Sequence, residues 1–256
     1  MVVNSEKEYI MIKVFKNTNE IGHFVGEMLV RDVKLSGRHH YSVSLSGGST
    51  PMAIYSYLAE RYADMIRWNA MKFFWGDERC VSPSDSESNY NMAVKSLLGR
   101  VTIPSAQVFR ILGENDPNLE AIRYSNLIGE HLPRHQGTPS FNLMLLGLGE
   151  DGHTASIFPD QRRLFDVPEL FSVAVHPISR QIRITATGRT INHAKMVVFI
   201  VTGSSKAGVV ADIFGKRNGY EAYPASMVRP EHGKLLWLLD EEAASGLDTS
   251  LIHNSQ

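Results

Sequence analysis

Asp151 and His153 stand two residues apart in a glycine-rich turn that reads G-L-G-E-D-G-H-T-A-S from Gly147 to Ser156. A carboxylate at that spacing can hold one imidazole nitrogen while the other works as a base near neutral pH. The apolar run 141–146 feeds this turn and reads as a buried strand, short and bounded by breakers. Glycines let the backbone turn sharply and leave room for a ligand. Asp151 and His153 therefore belong just past the carboxyl end of a central strand, where open α/β sheets bind their ligands. A lone D-G-H is read equally well as a turn in which Asp151 caps a helix and His153 is structural, so the rest of the chain has to decide.

Three more stretches have the same form, a strand running into polar residues. Ser46, Gly47, Gly48, Ser49 and Thr50 lie between a strand and a helix that Pro51 opens. Small residues there expose backbone N–H groups at a helix N-terminus, which makes an anion site to which hydroxyls add donors. The stretch is neither a G-x-G-x-x-G fingerprint nor a P-loop, since it lacks the lysine, and it is also compatible with an ordinary capped turn. Asp77, Glu78 and Arg79 follow an apolar strand directly. They form either a solvated cluster of ion pairs or a site in which Asp77 handles a proton or binds a hydroxyl and Arg79 meets a phosphate or oxyanion. Lys206 falls in the first turn of a helix after Thr202-Gly203-Ser204-Ser205. The helix dipole disfavours a cation there, so either an anion compensates it or it is a plain surface lysine.

These groups need a scaffold that brings strand ends together. Strands are expected at 10–15, 41–45, 71–75, 107–112, 141–146, 171–175, 183–187, 196–201 and 234–239. Helices are expected at 19–35, 51–61, 89–98, 118–132, 190–194 and 204–214, the first with Ile21, Phe24, Val25, Met28 and Leu29 on one face. The alternation implies an α/β fold, a doubly wound, mostly parallel, Rossmann-like sheet flanked by helices. The 171–175 and 183–187 segments are a small antiparallel addition. No break in composition divides the chain, so a single domain over residues 1–256 is expected.

Composition narrows the partners. The 256 residues are 43% hydrophobic, enough for a full core, and the formal net charge is -1. Nothing in that balance suggests nucleic acid or a membrane surface. A single cysteine, Cys80, leaves no disulfide framework. Residues 1–15 contain no apolar core of a signal peptide, and no run is long enough to span a bilayer, so a cytoplasmic location is expected. The ten histidines form no H-E-x-x-H, and His39 and His40, being adjacent, would point opposite ways on a strand. No metal and no cofactor is expected.

Taken together, S-L-S-G-G-S-T-P, F-F-W-G-D-E-R, S-N-Y-N-M, G-L-G-E-D-G-H-T-A-S-I-F-P and V-T-G-S-S-K-A resemble the 6-phosphogluconolactonase family, within the group that also holds glucosamine-6-phosphate deaminase. Lactonases carry D-E-R and D-G-H-T-A-S-x-F-P; deaminases carry D-E-Y and D-G-H-I-A-F-N-E-P. This chain matches the first pattern and lacks the deaminase glutamate. It departs at residues 183–189, R-I-T-A-T-G-R, where lactonases read R-I-T-L-T-x-P. The resemblance implies hydrolysis of 6-phospho-D-glucono-1,5-lactone, a step of the oxidative pentose phosphate pathway, by a monomer or homodimer. It implies His153, Asp151, Arg79 and Asp77 as catalytic residues, and Ser46 to Thr50, Lys206 and Arg183 as substrate and phosphate ligands. No G-x-S-x-G elbow is present, so water rather than a serine would attack. The alternatives are a glucosamine-6-phosphate deaminase or a sugar-phosphate sensor without catalysis. The whole reading requires four distant turns to meet in one cleft.

Overall fold

The computed structural model describes residues 10–37, 40–217 and 219–248. Residues 1–9 and His39, on which the readings of the N-terminus and of the His39-His40 pair rest, lie outside the described residues. The main sheet is six-stranded and entirely parallel. Its strands are β1 (Ile10–Phe15), β2 (Tyr41–Leu45), β3 (Met71–Trp75), β7 (Leu143–Leu146), β10 (Met196–Val201) and β11 (Lys234–Asp240), in the order β1-β11-β10-β7-β2-β3. Every residue of β2 and β7 is buried, as expected of strands covered on both faces by helices. The flanking helices are α1 (Thr18–Leu35), α2 (Ser49–Arg61), α3 (Asn89–Ala93), α4 (Pro117–His131), α5 (Gly188–Asn192), α6 (Ala207–Gly215) and α7 (Glu241–Ala244). Helix starts follow from local chemistry. Asn17 accepts from the Glu20 N–H to cap α1, and Asp116 accepts from the N–H groups of Asn118 and Leu119 to cap α4, which Pro117 opens.

The order places β10, β7, β2 and β3 side by side, so their carboxyl ends share one edge of the sheet. The chain leaves β2 towards β3 in one direction, whereas β7 leads to β10 in the other. A crevice opens where the connections diverge, between β2 and β7.

A smaller antiparallel sheet, β4 (Asp77–Arg79), β9 (Ile182–Ala186) and β8 (Phe171–Val175), closes over that edge. The hairpin of β8 and β9 agrees with the sequence pattern; the strand made by Asp77-Glu78-Arg79 does not follow from it. Three consecutive charged residues carry no strand signal, and only pairing with β9 makes them one. A two-rung hairpin, β5 (Arg134–His135) with β6 (Thr138–Pro139), completes the described strands.

The strand expected at 107–112 does not form. Ser105–Gln107 is a 3-10 turn, and only Val108 bridges to Phe73. The backbone of this segment is satisfied instead by side chains of α4: the Tyr124 hydroxyl donates to the Phe109 carbonyl and the Leu112 N–H donates to Glu120. The helix expected at 89–98 starts on time but widens to a π-helical turn over Val94–Leu98. The helix expected at 204–214 begins as a 3-10 turn, Ser204–Lys206, so Lys206 is the N-cap of α6 rather than a residue of its first turn. Among the described residues no helix is long and apolar enough to cross a membrane.

Glu78 ties the two sheets to α3. Its buried carboxylate accepts from the N–H groups of Arg79, Asn89 and Tyr90 and from the Ser88 hydroxyl. Burial raises this carboxyl above its ordinary value, and the backbone N–H groups oppose the rise. Glu78→Ala leaves those donors unpaired in a dry setting and should cost on the order of 3 kcal/mol in a urea melt. A raised folded-state value gives stability that is present at low pH and fades as pH rises. The gap between wild type and variant should therefore narrow above pH 4.5, the ordinary value of this carboxyl.

Candidate active site

A cleft of about 240 Å³ lies at the shared carboxyl edge. Ser46, Gly47, Gly48, Ser49 and Thr50 form one side of it, Asp77, Arg79 and Arg183 line the antiparallel flap, and His153 and Lys206 come from the β7 and β10 turns. Every sequence-derived candidate but Asp151 lines this space, and Asp151 is bonded to His153. The required convergence of distant turns is therefore present.

His153 is held in three ways. Its Nδ1 lies 2.6 Å from Asp151 Oδ1, and its backbone N–H donates to the same oxygen at 3.1 Å. Its ring packs at 4.8 Å between centroids on Phe158, which is fully buried. With Nδ1 as donor to the carboxylate, Nε2 is left to carry the lone pair. Burial would by itself raise the Asp151 carboxyl, but the hydrogen bonds and charge of His153 prevail and hold it below the usual range. Close packing of this turn depends on Gly149, where a Cβ would collide with the His153 ring and the Asp151 carboxylate. Ala155 adopts a left-handed conformation, φ 48°, uncommon outside glycine, and lines the cleft.

The turn at residues 46–50 leads into α2 with a shift in register against the sequence expectation. Ser49 and Thr50 are the first residues of α2 rather than the loop before it, so their N–H groups belong to the helix N-terminus. Thr50 Oγ1 and Thr202 Oγ1 are 2.6 Å apart, joining the β2 and β10 turns. The Gly203 N–H donates to both oxygens of Asp240 at 3.0 Å, fixing the β10 turn to the end of β11. Lys206 pairs loosely with the exposed Glu150, at 3.7 Å.

Arg79 and Arg183 face each other directly across the β4–β9 pair. Like charges in such a position are destabilising unless something negative lies between them. Arg79 Nη1 donates to the Glu87 carbonyl. Among the described residues neither guanidinium forms an ion pair with a carboxylate, and the Nε of each is buried without a partner. Burial pulls the Arg183 guanidinium below its ordinary value, with Asp77 opposing. A dianionic phosphate suits such a wall. Among the described residues no group of three or more His, Cys, Asp and Glu side chains could hold a metal ion.

Two contributors escape a reading of the sequence. Asn89 lines the cleft, and its Nδ2 donates to the Asp77 carbonyl at 2.9 Å and to Oδ1 at 3.3 Å. It packs where Gly47 has no Cβ; a Cβ there would overlap the Asn89 amide. Ser156 donates to Asp77 Oδ2 at 2.6 Å. Both lie in quoted motifs, but neither is charged, so spacing alone gives them no role. The departure at 183–189 is local: Arg189, standing at the lactonase proline, donates to the Pro168 carbonyl and the Thr138 hydroxyl and does not line the cleft.

The fold and the cleft define an α/β enzyme with a carboxylate-supported imidazole at the carboxyl edge of a parallel sheet. The family model described as glucosamine-6-phosphate isomerases/6-phosphogluconolactonase matches residues 17–237, and the chain belongs to that family. It is 41% identical over 206 residues to the 6-phosphogluconolactonase of Haemophilus influenzae, covering 80% of this chain and 87% of that one. To the 6-phosphogluconolactonase of Treponema pallidum it is 40% identical over 78% of this chain and 82% of that one. The solved structure of 6-phosphogluconolactonase from Trypanosoma brucei superposes with a TM-score of 0.82 at 31% identity, over 93% of this chain and 98% of that one. A monomeric glucosamine-6-phosphate deaminase shares the fold, with a TM-score of 0.78 at 20% identity over 93% of this chain and 100% of that one.

Gly149→Ala should displace the imidazole from Asp151 while leaving the melting temperature within a few degrees. Histidine ring signals in NMR report it: an unchanged His153 environment would contradict the packing described.

Proposed function

We propose that this protein hydrolyses 6-phospho-D-glucono-1,5-lactone to 6-phosphogluconate, the lactone-opening step of the oxidative pentose phosphate pathway. The observation that carries the reading is His153, fixed by Asp151 at 2.6 Å, in one cleft with the Ser46 to Thr50 turn and two arginines that, among the described residues, no carboxylate pairs. The phosphate docks on the N–H groups and hydroxyls of Ser46 to Thr50, with Lys206 and Arg183 as cations. His153 Nε2 takes a proton from water as the water oxygen attacks the lactone carbonyl carbon. Arg79 stabilises the resulting oxyanion, a role commonly worth about 3–4 kcal/mol per donor. Collapse of the tetrahedral intermediate breaks the bond from carbon to ring oxygen. The imidazolium returns its proton to that oxygen, and the open-chain acid leaves. Asp151 holds the tautomer and stabilises the imidazolium, as a triad carboxylate does.

Phe158 counts against the deaminase alternative. It occupies the position at which deaminases of the resembling pattern carry glutamate, and it is buried against the His153 ring. An apolar ring there supplies no acid or base. The relatives at 40–41% identity described above are all named as lactonases.

The decisive experiment supplies freshly made lactone and follows acid release, and in parallel supplies glucosamine-6-phosphate and follows ammonia. Acid release alone is expected; ammonia release would replace the reading with the deaminase, and tight binding without either product with the sensor. His153→Ala should lower kcat about 10²–10⁴-fold with KM little changed.

A further inference from the structure

The carboxylates around the two arginines are not paired as their charges would dictate. Asp77 stands opposite Thr185 in the β4–β9 register, so Arg183 is its diagonal neighbour on the same face of the sheet. Long side chains reach across such a diagonal. Yet Asp77 Oδ2 accepts from the Ser156 hydroxyl at 2.6 Å and Oδ1 from Asn89 at 3.3 Å. Glu78 is taken by the start of α3, and Glu87 accepts from Gln181 at 3.2 Å. Each acid is satisfied by neutral donors. Among the described residues the Arg183 side chain in turn makes one hydrogen bond, from Nη1 to the Ser156 oxygen at 3.5 Å. Ser156 thus lies between the two charges, donating to one and accepting from the other.

Ser156 is itself fully buried, and its N–H donates to Thr185 Oγ1 at 3.1 Å, so the backbone that carries its hydroxyl is tied to β9. Asp77 is the foremost charge acting on Arg183, which makes the separation consequential. A direct pair at this depth would occupy the guanidinium and its N–H groups.

We propose that Ser156 is a positioning residue that keeps Asp77 from closing an ion pair with Arg183, so that the guanidinium remains available to the anionic group of the substrate. The choice of phosphate as that group rests on the lactonase reading above. The hydroxyl acts through Arg183 and touches no reacting atom. Removing it leaves Asp77 Oδ2 short of a donor, and Arg183 Nη1, the other partner of that hydroxyl, is a charged donor that can take its place.

The test measures inorganic phosphate binding by calorimetry on the full chain, with four proteins: wild type, Ser156→Ala, Asp77→Asn and the double variant. Ser156→Ala should weaken phosphate binding roughly ten-fold, the loss of about one charge-assisted hydrogen bond. The double variant should recover to within about two-fold of wild type, because a neutral amide in place of the Asp77 carboxylate offers Arg183 no charge. Simple damage to packing would not be repaired by a second substitution. Asp77→Asn alone should bind phosphate at least as tightly as wild type, and weaker binding by this variant overturns the proposal even if Ser156→Ala fails to fold. The proposal is overturned by wild-type affinity in Ser156→Ala, by a double variant as weak as the single one, by weakened binding in Asp77→Asn, or by no phosphate binding in wild type. Hydrolysis of lactone by wild type is scored separately: its absence sinks the functional reading, whereas normal hydrolysis with an unchanged Ser156→Ala sinks only this inference.

Discussion

A parallel sheet buried on both faces has no room for charge within its strands. β2 and β7 are buried at every position, and β10 at all but its first residue. Polar chemistry is therefore displaced to where the strands stop. Because all six run the same way, they stop at the same edge, and because β10, β7, β2 and β3 are neighbours, their turns share one space. The cleft is a consequence of direction and order: reversing any one of these strands would carry its turn to the far side of the sheet.

The second constraint is electrostatic. Arg79 and Arg183 oppose each other across one rung, and Lys206 adds a third cation to the same cleft. A fold selected for stability alone would place Asp77, Glu78 or Glu87 against them. Here those acids are engaged by Ser156, Asn89, Gln181 and the backbone at the start of α3. The protein tolerates an unfavourable charge arrangement, two buried Nε atoms without partners included, at the place where an anion would relieve it. The imidazole side of the cleft shows the opposite strategy. His153 and Asp151 satisfy each other, Phe158 fixes the ring plane, and Gly149 keeps the volume they need.

The small antiparallel sheet gives the cleft one wall and two of its cationic side chains. It starts one residue after β3, past Gly76, and the Ala186 N–H donates back to the Gly76 carbonyl at 2.7 Å. Through β4 this sheet carries Asp77 and Arg79, and through β9 it carries Arg183. Glu78, pointing to the other face, anchors α3 and so sets Asn89 beside Asp77. One tripeptide thereby supplies two cleft residues and a structural tie, by the alternation of a strand.

Sequence by itself determined the α/β class, all six strands of the main sheet and the residues able to do chemistry, because periodicity, glycine turns and strand-end charges are local properties. Asp151 with His153, the Ser46 to Thr50 turn, Asp77, Arg79 and Lys206 stand out as candidates that way, whereas Arg183 does so only through the family resemblance. It misplaced what depends on a distant partner. Residues 107–112 look like a strand but have their backbone groups satisfied by Tyr124 and Glu120; Asp77-Glu78-Arg79 does not look like one until β9 pairs with it. Asn89 and Ser156 are uncharged, so their place beside Asp77 became visible only once the fold brought segments 12 and 79 residues apart to within a hydrogen bond. Tertiary structure alone decided which acids the arginines would not meet, since strand register and side-chain contact across the chain are set by packing and leave no local trace.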